Sequence, residues 1–510
     1  MNLLTRDEVL RDVYLVLPLI ILSLGSLAVL LIDVFRRKPW PSVYASILIL
    51  LGALVSAVAV APEYHAKESA FYGTLFVDPF TSFVTVLILA GAILCMMIGK
   101  DFLQSEGIAE EGEYSSLYLM ATAGAVLFVS AIDFITLFVG LEVMSMALYA
   151  LCGSALRRRS SSESALKYFF LGSFSSAFLL FGMALLYGVT GSFSLIDIAS
   201  VLVGPPSGVV AVAIALMVVG LLFKVGVVPL HFWAPDVYQG APTPVTVFMA
   251  SVVKVAAVSV ALRVFWWAFG SDEIYELWRG GIWLAALLTM VVGNLVALRQ
   301  RSVKRMLAYS SIAHAGYMLM GFLAPGGFGG GAAILYYLVA YTVMTVGAFG
   351  VVLVISNSGD VREGADDISR FQQLSHSRPM LAALMSLFLL SLAGLPPGMA
   401  GLLGKFYVFN AAVKASYVGI AIVGVLCSVV SCYYYLRIIV AMYFVSPEEE
   451  HGEHTQNGKA TRPHAIVGEG AVTIAAPEPA VLVTLFVCAV LTVLLGVQPS
   501  FLYDAVAGLF

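Results

Sequence analysis

Fourteen stretches of about twenty residues, each apolar almost throughout, follow one another along this chain, with short connections between most of them. Such a stretch has one structural solution in hydrocarbon. Every backbone N–H and C=O must be satisfied within the segment, as in an α-helix, and about 20 residues rising 1.5 Å each cross a ~30 Å bilayer core. The stretches, numbered segments 1 to 14, run approximately over 13–33, 43–61, 80–99, 115–132, 134–154, 165–189, 208–228, 243–269, 281–298, 305–323, 331–355, 379–414, 416–445 and 480–497. Charged residues are 11% of the 510, against about 25% in a soluble chain. The solvent of this protein is lipid. Its formal net charge of −4 gives no sign of a nucleic-acid partner.

The N-terminal sequence MNLLTRDEVLRDVYLVLPLIILSLG is acidic before its apolar run and lacks a small-residue cleavage site, so it reads as a first span rather than a removed signal. All five cysteines (Cys95, Cys152, Cys427, Cys432, Cys488) fall in apolar segments without C-x-x-C spacing. That pattern suits packing residues and argues against a disulfide framework, a zinc site or an iron–sulfur site. With no dinucleotide, P-loop or haem-attachment motif either, the chain has no evident site for electron or phosphate chemistry.

The basic groups are Arg36–Lys38, Lys100, Arg157–Arg159, the set Arg299, Arg301, Lys304 and Arg305, and the set Arg362, Arg370 and Arg378. Fourteen alternating segments put all of them on one face. Opposite loops such as Ser271–Gly280 are neutral or acidic. The positive-inside rule makes the basic face cytoplasmic and puts both termini on the other side. The loop over 446–479 carries His451, His454 and His464 among acids, and reads as a solvated cytoplasmic loop rather than a metal site.

Segments 7 and 12 are interrupted, at Pro229 and at Pro396–Pro397 within SLAGLPPGMAGLLGK. Proline removes a backbone donor and clashes with the preceding turn, and broken helices at membrane depth survive only against protein or a wet cavity. Segments 4–8 and 9–13 each have a broken fourth member carrying a lysine, Lys224 and Lys405. An odd number of segments per group inverts the second copy, the inverted-repeat plan of transporters. The expected fold is an all-α membrane protein of about fourteen transmembrane helices with two inverted five-helix repeats. Its parts are accessory segments over 1–110, a first repeat over 111–270, a second over 280–445, the loop 446–479 and a last helix over 480–510.

Four ionisable groups stand out inside these segments: Glu142, Lys224, Lys254 and Lys405. Each costs about 2.5–3.5 kcal/mol at the bilayer centre, so such groups mark proton or ion paths. Burial disfavours the charged form and an opposite charge restores it, so a buried lysine with a separable carboxylate is a protonation switch. The competing reading is a static ion pair, or a lysine held by the carbonyls of a broken helix. His314 and His231 are candidate relays, because imidazole titrates near neutrality, or else hydrogen-bonded packing residues. Ser310, Ser311, Tyr309 and Tyr317 near His314 could hold waters or join helices. Glu163 and Lys167 form either a surface i,i+4 pair or a proton uptake point.

These residues resemble the antiporter-like subunits of respiratory complex I, the proton-pumping NADH:quinone oxidoreductase, over roughly residues 115–445. HFWAPDVYQGAPTPVTVFMASVVK (His231–Lys254) is similar to the subunit N family within that group, whereas sister pump subunits and Mrp-type Na⁺/H⁺ antiporters read H-x-W-L-P-D-A. SALKYFFLGSF, RMLAYSSIAHAGYM and GLPPGMAGLLGKF agree. The resemblance implies that Glu142 pairs with Lys224, that Lys254 is the central lysine and Lys405 that of the outward half-channel, and that His231 and His314 lie on a hydrated axis. It implies a translocase subunit in a bacterial inner membrane with no cofactor of its own. FMN, iron–sulfur clusters, NADH and quinone would sit in partner subunits of the membrane and peripheral arms. The rival readings are a stand-alone or Mrp-type cation/proton antiporter and a purely structural membrane-arm subunit.

Overall fold

The computed structural model describes residues 6–36, 40–63, 69–105, 111–356, 364–445 and 477–509. Arg37, Lys38, Arg362 and the three histidines of the 446–479 loop lie outside them. All fourteen segments coincide with helices: Leu17–Phe35, Ser42–Val60, Pro79–Ser105, Glu111–Ser130, Phe134–Cys152, Arg159–Thr190, Gly208–Val225, the run Thr243–Ala268, Asp272–Ala297, Val303–Phe322, Gly330–Ser356, the pair Pro379–Ala393 and Ala400–Lys414, Val418–Phe444 and Pro479–Val497. Pro18 moves the start of the first apolar helix to Leu17, because proline suits the first helical turn. A separate short helix, Arg6–Leu15, precedes it.

Among the described residues, eleven helices are long and apolar enough to cross a membrane. Segments 4, 10 and 12 are not among them, and for two of them the reason is plain. Segment 12 is split into two pieces of 15 residues each. Segment 10 carries Lys304, Arg305, two serines and His314, yet nearly all of its residues are buried. A helix enclosed by other helices is not selected for contact with lipid. The same enclosure holds for segments 8 and 11, whose apolar windows are 100% and 94% buried. Outer helices instead expose Phe170, Phe174, Leu426, Val429 and Phe486. Segments 4 and 5 approach through glycine, since a Cβ on Gly124 would lie 2.4 Å from the Met144 nitrogen and one on Gly140 2.5 Å from that of Phe128.

The two breaks share a local geometry. Segment 7 ends at Val225, and Gly226 at φ 82° donates to Leu222 O and Phe223 O while Val227 donates to Leu222 O at 3.1 Å. The first piece of segment 12 ends at Ala393, and Gly394 at φ 88° donates to Leu390 O and Ser391 O while Leu395 donates to Leu390 O at 2.8 Å. Glycine therefore ends each helix, three residues before the proline (Pro229, Pro397) that keeps it from resuming. The freed groups find protein partners. Val228 N–H donates to Thr289 Oγ1 at 3.0 Å, and the Trp233 indole to Phe223 O at 3.1 Å.

The basic clusters converge. Arg157–Arg159, Lys304 and Arg305 line one cavity with Asp236 and Asp366. The loop after segment 9 joins the one before segment 12, through Val303 N–H donating to Asp366 O at 2.7 Å.

Candidate functional site

Lys224 lies in the last turn of its helix, beside the negative end of the helix dipole. Its buried ammonium donates to Tyr168 Oη at 3.1 Å and lies over the rings of Tyr168 (4.8 Å) and Tyr149 (5.5 Å). Glu142 is elsewhere. Its carboxylate accepts from Ser176 Oγ at 2.5 Å on a half-buried flank of segment 5. The direct Glu142–Lys224 ion pair implied by the resemblance is not made in this arrangement; two tyrosines occupy the lysine instead. Sequence spacing cannot tell which helix face turns inward, and here Glu142 turns partly outward.

Lys254 follows a π-helical turn, Met249–Val253, in a helix that is buried throughout. Wider turns of this kind recur at functional sites. Its ammonium donates to the Ser311 carbonyl at 2.6 Å and to the Ser311 hydroxyl, and lies 5.2 Å from the Tyr341 ring. Lys405 donates to Leu392 O, Ala393 O and Ser428 Oγ, each at 2.9 Å. The lysine held by broken-helix carbonyls is thus Lys405, at the negative end of the helix that Gly394 terminates.

His314 stands between these two lysines. Its Nδ1 is 2.6 Å from Tyr337 Oη and its Nε2 3.2 Å from Tyr435 Oη. The His314 ring contacts Tyr341 and Tyr317, over whose rings Lys254 and Lys405 respectively lie. The structure therefore brings Lys254, His314 and Lys405 into one buried row. It leaves His231 half-buried beside the segment 7 break, with Nδ1 enclosed and without a hydrogen-bond partner among the described residues.

Glu163 and Lys167 do pair, at 2.7 Å, at the basic face. Lys167 also binds Asp236 at 2.9 Å, and Arg305 binds the other Asp236 oxygen at 2.7 Å. Burial pushes the Asp236 carboxyl up, but the hydrogen bonds from Lys167 and Arg305 outweigh it and hold the group below its ordinary value of 3.8. Lys304, buried, donates to Gln239 O (3.1 Å) and Ala241 O (2.9 Å).

Sequence reading missed several of these groups. Asp236 lies inside the quoted HFWAPDVYQG signature, and the tyrosine pairs 336–337 and 434–435 were visible as hydroxyls in apolar helices. Arg263 is a second ionisable residue inside segment 8. It forms a buried pair with Asp78, donating to both carboxylate oxygens at 2.9 Å and, through its other nitrogen, to Thr81 Oγ1 and Val129 O. Its position near the helix end masked it within a long apolar run.

Broken helices and an interior row of lysine, histidine and tyrosine define a multi-pass membrane protein of the antiporter-like class. Residues 131–431 match the family described as NADH:quinone oxidoreductase/Mrp antiporter, transmembrane. The NADH-quinone oxidoreductase subunit N of Trichlorobacter lovleyi is 42% identical over 438 residues, covering 85% of this chain and 88% of that protein. A chain of respiratory complex I from Thermus thermophilus is 33% identical, with a TM-score of 0.76 and coverage of 96% of this chain and 99% of that one. A chain of the Mrp complex from Dietzia, 22% identical with a TM-score of 0.80 over 99% of this chain and 97% of that one, shares the fold. The chain belongs to the subunit N family of NADH-quinone oxidoreductases.

Proposed function

We propose that this chain carries protons across a bacterial inner membrane as the subunit N component of NADH:quinone oxidoreductase, with both termini on the non-cytoplasmic side. The observation that carries the reading is the buried row Lys254–His314–Lys405, in which each ammonium is hydrogen-bonded to hydroxyl and carbonyl oxygens and, among the described residues, forms no ion pair with a carboxylate. Groups so placed can exchange a proton without first breaking a salt bridge. Lys224 would be loaded from the basic face past Glu163 and Lys167, with His231 at the break. A charge change arriving from a neighbouring subunit at Glu142 would set the proton affinity of Lys224. Lys224 would then pass its proton to Lys254 and on to Lys405.

The shared G-x-x-P breaks, with a buried lysine five residues before Pro229 and another eight residues after Pro397, support two inverted repeats over 111–270 and 280–445 within fourteen spans, flanked by the accessory parts 1–110, 446–479 and 480–510. Electron carriers would reside in partner subunits, FMN and iron–sulfur clusters among them, with NADH and quinone acting there. The likeness of fold to an Mrp complex chain supports one second reading, a cation/proton antiporter without redox partners.

The test is proton uptake per NADH oxidised in vesicles holding the whole complex. Lys254→Met is expected to lower that yield. A normal yield would remove Lys254 from the path. Co-migration of the tagged chain with a large NADH-oxidising band on a native gel separates the complex from the stand-alone antiporter.

A further inference from the structure

We infer that the second half of the bundle has its own proton access route from the basic face, reaching His314 through Ser310 and Tyr435. The inference rests on the proton-translocating reading above, and adds a route that bypasses Lys224 and Lys254.

Apart from His314, where it ends, and Tyr317, the route is built from groups that the lysine row does not use. Tyr435 Oη lies 3.2 Å from His314 Nε2 and is hydrogen-bonded to Ser310 Oγ. Beside it, Tyr434 Oη donates to Asn294 Oδ1 at 3.1 Å, and Asn294 Nδ2 donates to Tyr317 Oη at 3.1 Å. One turn beyond Tyr434, Arg437 donates to Leu298 O at 3.0 Å and to Gln300 O, in the turn that opens on the basic face. Segments 9, 10 and 13 thus share a polar seam running from His314 towards that turn. Ser310 lies seven residues past the start of its helix at Val303, about 10 Å in at 1.5 Å per residue.

The contrast with the lysine row is chemical. Around the way from Lys224 towards Lys254 hydroxyls are interleaved with rings and sulfur: Tyr168, whose hydroxyl accepts from Lys224, stacks on Trp233 at 4.7 Å, and Cys152 Sγ faces Met249 Sδ at 3.7 Å. The seam offers hydroxyls in direct contact with an imidazole. A hydronium that reaches Ser310 along the seam gives it a proton while Ser310 gives its own to Tyr435 and Tyr435 its own to His314 Nε2. Water is left beside Ser310, both hydroxyls end neutral, and the imidazole becomes imidazolium. The Nδ1 proton then leaves on the Tyr337 side. A Cβ on Gly404 would lie 2.7 Å from the Tyr337 ring, so that ring packs on the helix turn carrying Lys405.

The test uses the whole complex in inverted vesicles. Tyr435→Phe keeps the ring and removes the relay hydroxyl; the expected result is loss of proton yield per NADH with uncoupled NADH oxidation retained. Ser310→Cys reports wetness independently of folding effects on pumping. A small, charged, membrane-impermeant thiosulfonate is expected to label it from the basic-face side, read by mass on this chain's own peptide. A normal yield in Tyr435→Phe, or a Ser310→Cys thiol that stays unreactive or reacts only from the opposite side, overturns the route. Lys254→Met in the same assay separates the two ideas. If it fails to pump while Tyr435→Phe is normal, only the access route falls; if it too pumps normally, the lysine pathway itself falls.

Discussion

Charge in this protein is stabilised mostly by oxygen atoms of neutral groups, and the exceptions are informative. Asp236 is the acid around which two helices meet at the basic face, binding Lys167 and Arg305 at 2.9 and 2.7 Å. Its carboxyl titrates lower in the folded chain than in the unfolded one. Its stabilising contribution is therefore complete above the ordinary value of 3.8 and is lost as pH falls through the lower folded value. Asp236→Asn should lower thermal stability at neutral pH, with the gap to wild type closing in acid. A gap unchanged well below pH 3.8 would show that the ion pairs do not carry the effect. Lys304→Met removes a buried donor from two carbonyls, and charge-assisted bonds are worth about 1.5–3 kcal/mol each. A clear drop in the melting temperature of the solubilised complex is expected.

At the broken helices two glycines differ in what a side chain would meet. Gly226 sits at φ 82° with only Ala234 Cβ near a hypothetical Cβ, at 3.9 Å, so Gly226→Ala pays for conformation alone. The left-handed penalty is about 1–2 kcal/mol. Gly401 is different. Its Cβ would lie 1.9 Å from the Ser391 carbonyl oxygen, where the two pieces of segment 12 cross. Gly401→Ala must push them apart and should move Lys405 away from Leu392 O and Ala393 O. The expected signature is a folded, membrane-inserted chain with defective pumping after Gly401→Ala and near-normal pumping after Gly226→Ala. Equal behaviour of the two variants would contradict this reading of the break.

Across the molecule, Asp78 and Arg263 tie an accessory helix to the buried segment 8. Arg263 is packed under the rings of Phe76 and Phe80, with centroids at 4.2 and 4.7 Å. Both charges are nearly inaccessible, at 3% and 5% exposure. Removing one partner from such a pair costs about 3–5 kcal/mol, because the other charge is left buried and alone. Asp78→Asn should therefore reduce the amount of chain recovered in the assembled complex, while Asp78→Asn with Arg263→Met should recover part of it. Failure of the double variant to improve on the single one would mean that the pair is not the unit of stability.

The apolar segments, both interruptions and three of the interior lysines are legible in the amino-acid order, because solubility in lipid and the missing proline donor are properties of local sequence. That is also why His314 and Lys254 stand out: an ionisable group among apolar neighbours is visible without a fold. Partnership is another matter. Glu142 and Lys224 read as a pair, yet one binds Ser176 and the other Tyr168. Lys405 reads as a carrier beside disturbed backbone, and only the fold shows that it closes the carbonyl end of a helix twelve residues back. Arg263 reads as part of an apolar run, yet it meets Asp78 from 185 residues away. Such pairings depend on which helix faces turn inward and on the height at which antiparallel helices pack. Both are set by side-chain fit between distant segments, and no spacing within one segment encodes them.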